Sequence, residues 1–291
     1  MKKEYLYLII MNLYWGLTQV LMKHILQYMG AATYVFLRFG SAFIVMLIFY
    51  LIMRKKVDTT SFKHGLILGI FLGFQTLLNT YSLYFTSTSN SVFIGQLTII
   101  AVPSYYFIKQ RKLPDKHFLL VTFIMICGLM LFSNAFNNGF NKGDIITFGS
   151  MLLLSVQLII GAKWTRSNDI LSMAIAQMLS SSLVAGVFAI NDINNVVWCS
   201  NSIMIIVLTG IIGSGIMNTL RLLSQAKVSV VSMSLINILH PIFSMIGAAI
   251  IPNIHGEVEV IYGYKVIGAI IMISGLLYYL YTNNRRRVIK N

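Results

Sequence analysis

The chain is built from apolar stretches near 20 residues long, separated by short polar segments. A stretch of about 20 residues, wound as an α-helix, crosses the roughly 30 Å hydrocarbon core of a bilayer. Within that core only helices and closed barrels satisfy the hydrogen bonds of their own backbone. Charged residues make up 10% of the chain, against about 25% in a typical soluble domain. The sequence therefore predicts an all-α integral membrane protein.

We predict ten transmembrane helices, numbered spans 1 to 10: 5–24, 31–53, 64–84, 90–109, 117–135, 144–163, 170–190, 202–222, 228–251 and 263–282. The first of them begins like a signal peptide, but it is longer than a typical h-region and lacks a clear small-residue cleavage site. We interpret it as a retained span. The whole chain, 1–291, is expected to form a single membrane domain.

The net charge of +14 is explained by orientation in the membrane, so no nucleic-acid partner is expected. With the N-terminus inside, eighteen Lys and Arg residues lie near inner span ends and three near outer ends. This distribution is what the positive-inside rule predicts. We therefore expect a multi-pass protein of the cytoplasmic membrane with both termini in the cytoplasm. Its expected partners are the lipid bilayer and a small-molecule substrate.

Three segments of the first half recur, in the same order, in the second half. The matching pairs are LNTYSL (78–83) with MNTLRL (217–222), SVFIGQLTIIAVPSYY (91–106) with SVVSMSLINILHPIFS (229–244), and MICGLM (125–130) with MISGLL (272–277). A unit of five spans is odd, so its second copy enters the membrane from the opposite side. The sequence predicts an inverted 5+5 repeat made of residues 1–138 and 139–291.

Several loose motifs accompany the repeat: Trp15-Gly16 in span 1, Arg38-Phe39 in span 2, Pro103 and Pro241 in spans 4 and 9, and Gly128 and Gly275 in spans 5 and 10. With them the chain resembles the EamA-like ten-span branch of the drug/metabolite transporter superfamily over nearly its whole length. The resemblance implies a central cavity between spans 1, 3, 4, 6, 8 and 9, with spans 5 and 10 peripheral. The family includes amino-acid exporters. Of the Gly-Glu pairs that often follow spans 4 and 9 in that family, only Gly256-Glu257 is present.

Polar side chains within the spans share helix faces, as residues that line a pathway do. On spans 1, 8 and 9 the polar positions fall in sectors of about 60 to 100°. The candidate substrate-binding residues are Asn12, Trp15, Gln19, Gln75, Asn79, Gln96, Gln157, Ser214, Asn218, Asn237 and His240. For any single Asn or Gln, a hydrogen bond that only joins two helices is an equally good explanation.

All eight acidic residues fall in termini, loops or span ends, which disfavours cation-for-proton antiport through a buried carboxylate. His240 is the central group that titrates near neutral pH, so it is the candidate proton carrier. Lys23 and Arg221 are expected to be the fixed charges of the pathway, with Tyr81 and Tyr105 among its aromatic lining. That chemistry suits a neutral, zwitterionic or weakly anionic metabolite.

Other features are interpreted as structural. Arg38 is expected to bond loop carbonyls or an outer-loop acid. Gly65, Gly69 and Gly73 form a small-xxx-small row typical of close helix packing.

Pro103 and Pro241 are the candidate helix hinges. A proline has no backbone N–H, so Pro241 leaves the carbonyl of Asn237 without its helical donor, and Pro103 does the same for Ile99.

The leading functional hypothesis is a secondary transporter that exports a small polar or amphipathic, amino-acid-like metabolite by alternating access, without ATP. The alternatives are a lipid scramblase or a passive facilitator with the same polar groove. An intramembrane enzyme is disfavoured, because the spans contain no HExxH, GxSxG or paired carboxylates. Cys127 lies within a span and Cys199 in an outer loop, so the two cysteines are not expected to form a disulfide or a metal site. No metal or cofactor is expected, and the protein is expected to be a monomer or a weak homodimer.

Overall fold

A computed structural model of the chain describes residues 3–54, 57–86, 88–111, 113–133, 141–190, 192–251, 258 and 260–288. The described part is all-helical, which confirms the predicted class. The helices are α1 (Lys3–His24), α2 (Ala31–Ile52), α3 (Thr59–Ser82), α4 (Thr88–Gln96), α5 (Thr98–Gln110), α6 (Lys116–Ser133), α7 (Lys142–Trp164), α8 (Ile170–Ala189), α9 (Ser200–Ile206), α10 (Met217–Lys227), α11 (Val230–Ile236), α12 (Leu239–Ile250) and α13 (Gly263–Val288). A π-helical segment, Val207–Ile216, joins α9 to α10.

Within the described residues, nine helical stretches are long and apolar enough to cross a membrane: Lys3–Gln27, Ala31–Ile52, Thr59–Ser82, Asn90–Gln110, Lys142–Trp164, Ile170–Ala189, Ser200–Lys227, Val230–Ile250 and Gly263–Thr282. The remaining expected span, 117–135, coincides with the shorter apolar helix Lys116–Phe132. Residues 134–140, which contain the expected boundary between the repeats, lie outside the described part. Ten spans therefore stay a prediction.

The helices pack so that the first half of the chain is interleaved with the second. Helix α3 lies against α7 and α8, while α1 lies against α10 and α12. Helix α2 packs on α8 and on the π-helical segment, and α4 and α5 pack on α7. Helices α6 and α13 pair with each other at the side of the bundle. This arrangement surrounds a central space with helices from both halves.

The row of glycines on α3 allows its close approach to α8. A Cβ added at Gly69 would lie 2.8 Å from the Cα of Gln177, and one added at Gly73 would lie 3.1 Å from the Cα of Ser181. The hydroxyl of Ser181 also donates to the carbonyl of Gly69 at 2.8 Å. Small residues and helix-to-helix hydrogen bonds replace the hydrophobic driving force that is missing between helices in lipid. The predicted packing role of this glycine row agrees with these contacts.

Two of the predicted spans are interrupted on the N-terminal side of their prolines. One break is at Leu97, between α4 and α5, and the other is at Asn237 and Ile238, between α11 and α12. The carbonyl of Asn237, expected from the sequence to be free, accepts a hydrogen bond from the backbone N–H of His240 at 2.9 Å. The tight turn at the break supplies the donor that Pro241 lacks, so the expected free acceptor is wrong at this position.

Gly69→Ala tests the close packing of α3 on α8. The added methyl group overpacks the interface, so we expect the free energy of unfolding to fall by about 1–3 kcal/mol. The matched control is Gly149→Ala, where an added Cβ meets only Leu78 Cδ1, at 4.0 Å. There we expect no loss, or a gain of up to about 1 kcal/mol from helix propensity. The measurement is thermal unfolding of the detergent-purified protein, and equal melting temperatures of the two variants would contradict the assignment.

Candidate functional site

A cavity of about 180 Å³ lies between the two halves of the bundle. Every predicted substrate-binding residue except Gln157 lines it. Arg221, expected as a pathway charge, also lines the cavity. The remaining lining residues were not predicted from the sequence: Thr18, Met22, Arg38, Phe39, Leu72, Thr76, Ser91, Val92, Gly95, Thr98, Leu154, Leu158, Thr209 and Gly213. No described residue of α6 or α13 is among them, in line with the peripheral position expected for these helices.

Amide side chains from different helices meet across the cavity wall. The Nδ2 atom of Asn12 on α1 donates to the Leu8 carbonyl at 2.7 Å and to Asn237 Oδ1 at 3.3 Å. On α3, Asn79 Nδ2 donates to Ser91 Oγ on α4 at 3.1 Å. These bonds satisfy part of each amide and leave further donors and acceptors for a ligand.

Trp15 is held in the wall by the π-helical segment. Its indole Nε1–H donates to the carbonyl of Gly213 at 2.9 Å. Ser214, the next residue, donates to the carbonyl of Thr209 five positions earlier, at 3.2 Å. Local π-helical winding is rare and often marks functional sites. Because the N–H of Trp15 is occupied, this residue offers a ligand mainly the face of its ring.

The charges of the cavity differ from the expected pair. Arg221 lines it as expected, whereas Lys23 is exposed on the bundle surface and is not a lining residue. The second charged residue of the cavity is Arg38. Its Nε donates to Ser214 Oγ at 2.8 Å, whereas a bond to a loop carbonyl or an outer-loop acid was expected. The sequence signal for Arg38 was its depth inside an apolar span, where a charge marks a functional site by default.

A buried polar network supports the wall behind Arg221. Arg221 Nη1 donates to Gln157 Oε1 at 3.0 Å, and Gln157 Nε2 donates to the carbonyl of Leu68 at 3.2 Å. Arg221 Nε donates to Asn218 Oδ1 at 3.0 Å, and Asn218 Nδ2 donates to Gln177 Oε1 at 2.8 Å. Gln157 is thus a supporting residue rather than a lining residue. Gln177 was not among the predicted residues, although an amide inside the apolar span 7 is a usable signal.

His240 lines the cavity at the break between α11 and α12. Its Nδ1 atom is buried and has no hydrogen-bond partner among the described residues. An unpaired polar atom in a buried site is unfavourable and calls for an explanation. A bound ligand or an exchanging proton would provide one.

Two expected aromatic lining residues lie elsewhere. Tyr81 packs edge-on against Tyr84 and Phe85, and Tyr105 packs against Tyr106, so both rings are on the outer surface of the bundle. The aromatic side chains of the cavity are Trp15 and Phe39. Gly256-Glu257 lies outside the described residues.

Comparisons with known proteins agree with this arrangement. Residues 2–134 match the model of the EamA-like transporter family. A solved crystal structure has the same fold, with a TM-score of 0.77 at 13% sequence identity over 95% of this chain and 97% of that chain. The comparison with curated proteins gave no match.

The family match confirms the resemblance to the drug/metabolite transporter superfamily. The nine apolar helical stretches of the described residues support a multi-pass membrane protein, and residues 2–134 are similar to the EamA-like transporters.

The position of the cavity predicts which introduced cysteines are accessible to water. In a protein with Cys127 and Cys199 replaced by Ala, we expect Gln75→Cys to react with a small charged methanethiosulfonate reagent, because Gln75 lines the cavity. The control is Phe74→Cys, at the same depth on α3, whose side chain is 38% exposed but on the outer surface. That thiol would face lipid, where a thiolate does not form. Equal labelling of the two thiols in membranes would contradict a water-accessible cavity.

Proposed function

We propose that this protein is a secondary transporter that moves a small polar or amphipathic metabolite across the cytoplasmic membrane by alternating access, in the direction of export and without ATP. The observation that carries the proposal is the polar cavity of about 180 Å³ enclosed by apolar helices. Its amides, hydroxyls and two arginines are chemistry that a lipid-facing surface would not hold. An amino acid or a metabolite of similar size and polarity is the favoured substrate.

The proposed architecture is ten spans in two EamA-like repeats, 1–138 and 139–291, related by inversion. A reciprocal contact between α6 and α13 supports it. A Cβ added at Gly128 would lie 3.0 Å from Met272 Cγ, and one added at Gly275 would lie 2.8 Å from Met125 Cγ. In the sequence repeat Gly128 aligns with Gly275 and Met125 with Met272. A two-fold relation between the repeats would produce such a pair of reciprocal contacts.

Two polar tethers support alternating access between such halves. Lys227 Nζ lies 3.1 Å from Glu4 Oε1 and joins the end of α10 to the start of α1. Thr86 Oγ1 donates to Asp144 Oδ1 at 2.6 Å and joins the end of α3 to the start of α7. If every predicted span crosses the membrane, these tethers lie at opposite ends of the cavity. Breaking one while keeping the other would open the cavity to one side.

The same proposal includes hinges at Pro103 and Pro241 and cytoplasmic termini. The helix breaks on the N-terminal side of both prolines support the hinges. The excess of Lys and Arg at one set of span ends supports the orientation.

Transport is tested with the purified full-length protein in liposomes that contain no ATP. We expect labelled amino acid to enter faster and transiently overshoot when the liposomes are preloaded with the unlabelled compound, since a carrier exchanges substrate across the membrane. A passive facilitator gives non-saturating flux without this stimulation. A scramblase instead moves fluorescent lipid between leaflets. The proposal is overturned if no amino acid of a broad panel shows counterflow and the protein gives either non-saturating flux or lipid movement instead.

If transport is coupled to protons, His240 is the proposed proton carrier. His240→Gln keeps a polar side chain of similar length but cannot titrate. We therefore expect this variant to lose accumulation driven by a pH gradient and to keep counterflow exchange. His64→Gln is the control, because His64 stacks on Trp164 outside the cavity. Accumulation that persists in His240→Gln would remove this residue from the mechanism.

A further inference from the structure

Two guanidinium groups face one small cavity, and neither is paired with an acidic residue in the described part of the chain. Arg221 is 4% exposed and Arg38 is half-buried, and both are lining residues. None of the described acidic residues forms an ion pair with either group, whereas Lys227 is paired with Glu4 at 3.1 Å. A buried charge is strongly unfavourable without a partner. The cavity therefore carries positive charge that the described residues do not neutralise.

Arg221 is held by neutral acceptors on one side only. Its Nε and Nη1 donate to Asn218 Oδ1 and Gln157 Oε1, both at 3.0 Å. A guanidinium has five N–H donors, and Nη2 has no partner among the described residues. The two amides thus fix the plane of the group and leave one edge available to the cavity.

Arg38 is fixed in the same manner. Its Nε donates to Ser214 Oγ at 2.8 Å, and its Nη1 makes only long contacts, 3.6 Å to Met22 Sδ and 3.5 Å to Tyr34 Oη. The rings of Tyr34 and Phe39 lie 6.0 and 5.7 Å from its Cζ. All of these neighbours are neutral, and Nη2 again has no partner in the described part of the chain.

The anchors of the two arginines are neighbours. Ser214 and Asn218 are four positions apart where the π-helical segment passes into α10, so they lie about one turn from each other. They direct guanidinium groups from α2 and α10 into one space. A carboxylate accepts hydrogen bonds on both oxygens and is the usual partner of paired guanidinium donors.

We infer that this cavity binds the carboxylate of a small organic acid or amino acid between Arg38 and Arg221, and that it excludes cations. This inference rests on the transport function proposed above and specifies its substrate class. The amides of Asn12, Gln75 and Asn237 face the rest of the bound molecule. With two fixed guanidinium groups and no described acid beside them, the cavity repels an ammonium that has no carboxylate of its own.

Ligand pairs that differ only in the charged group test the inference by binding. The probes are succinate and succinamide, lactate and lactamide, and choline, each titrated calorimetrically into the detergent-purified full-length protein. A hydrogen bond to a charged group supports a preference of about 10- to 100-fold for the acid over its amide. We expect at least one acid to show it and choline not to bind. Equal affinity of acid and amide, or binding of choline, overturns the inference.

Variants show whether the arginines cause the preference. Arg38→Gln and Arg221→Gln should each lower the affinity for the acid to near that of the amide, with the amide unchanged. Lys23→Gln is the matched control, because it removes a cation that does not line the cavity. If Arg221→Gln does not fold, Arg38→Gln carries the test. An acid preference that survives in the folded variants means that the arginines are structural, which also overturns the inference.

Failure of the carboxylate site and failure of transport have different signatures. Selective binding of acids without counterflow in liposomes removes the transport proposal and leaves the site. Counterflow of neutral or cationic compounds without any preference for acids removes the site and leaves the transporter.

Discussion

The hydrogen bonds of Arg221 hold the centre of this bundle together. Through Asn218 and Gln157 they connect α10 to α7, and the chain of bonds continues to Gln177 on α8 and to the carbonyl of Leu68 on α3. A polar group left unpaired at membrane depth is unfavourable by several kcal/mol. These helices must therefore stay in the register that keeps the bonds formed. Asn218 and Arg221 are the side chains of this network that line the cavity.

Close packing makes this network possible. Glycines 65, 69 and 73 bring the backbone of α3 against α8, so that short hydroxyl side chains reach carbonyls of the neighbouring helix. Ser180 donates to Leu66 and Ser181 to Gly69, both at 2.8 Å. The same closeness puts Gln177 of α8 within reach of Asn218. Contacts among small residues thus position the larger polar groups of the wall.

Much of the site could be predicted from the sequence, because helical periodicity places residues on faces. Asn12, Asn218 and Asn237 share polar helix faces in this way, and all three line the cavity. Periodicity within one helix does not say which neighbour a side chain meets. The sequence therefore predicts a loop partner for Arg38, which instead bonds Ser214, and a pathway position for Lys23, which does not line the cavity.

The fold departed from expectation where the backbone leaves regular α-helical geometry. A 100° periodicity cannot reveal the π-helical segment Val207–Ile216, yet this segment supplies the Gly213 carbonyl to Trp15 and sets the position of Ser214. The prolines predicted interruptions of two spans, but the breaks fall before Pro103 and Pro241, at Leu97 and at Asn237–Ile238. A turn forms there and satisfies the Asn237 carbonyl, which a simple proline kink would leave unpaired.

The two halves share helix breaks and packing contacts, but they differ in their charged and titratable side chains. Asn79 aligns with Asn218, but Ser82 aligns with Arg221. The hydroxyl of Ser82 accepts a hydrogen bond from Thr147 Oγ1 at 2.9 Å and donates to the carbonyl of Asn79 at 2.7 Å, so it carries no charge into the cavity.

Likewise Ile99 and Val102, which align with Asn237 and His240, are buried in an apolar core. The helix breaks and the α6 and α13 contact recur, whereas the charge and the titratable group of α10 to α12 do not. Arg38 adds a second charge from the first half, and it is held in place by its hydrogen bond to Ser214 of the second half. In the proposed carrier, such a division would let the two repeats change shape while the second half holds the ligand.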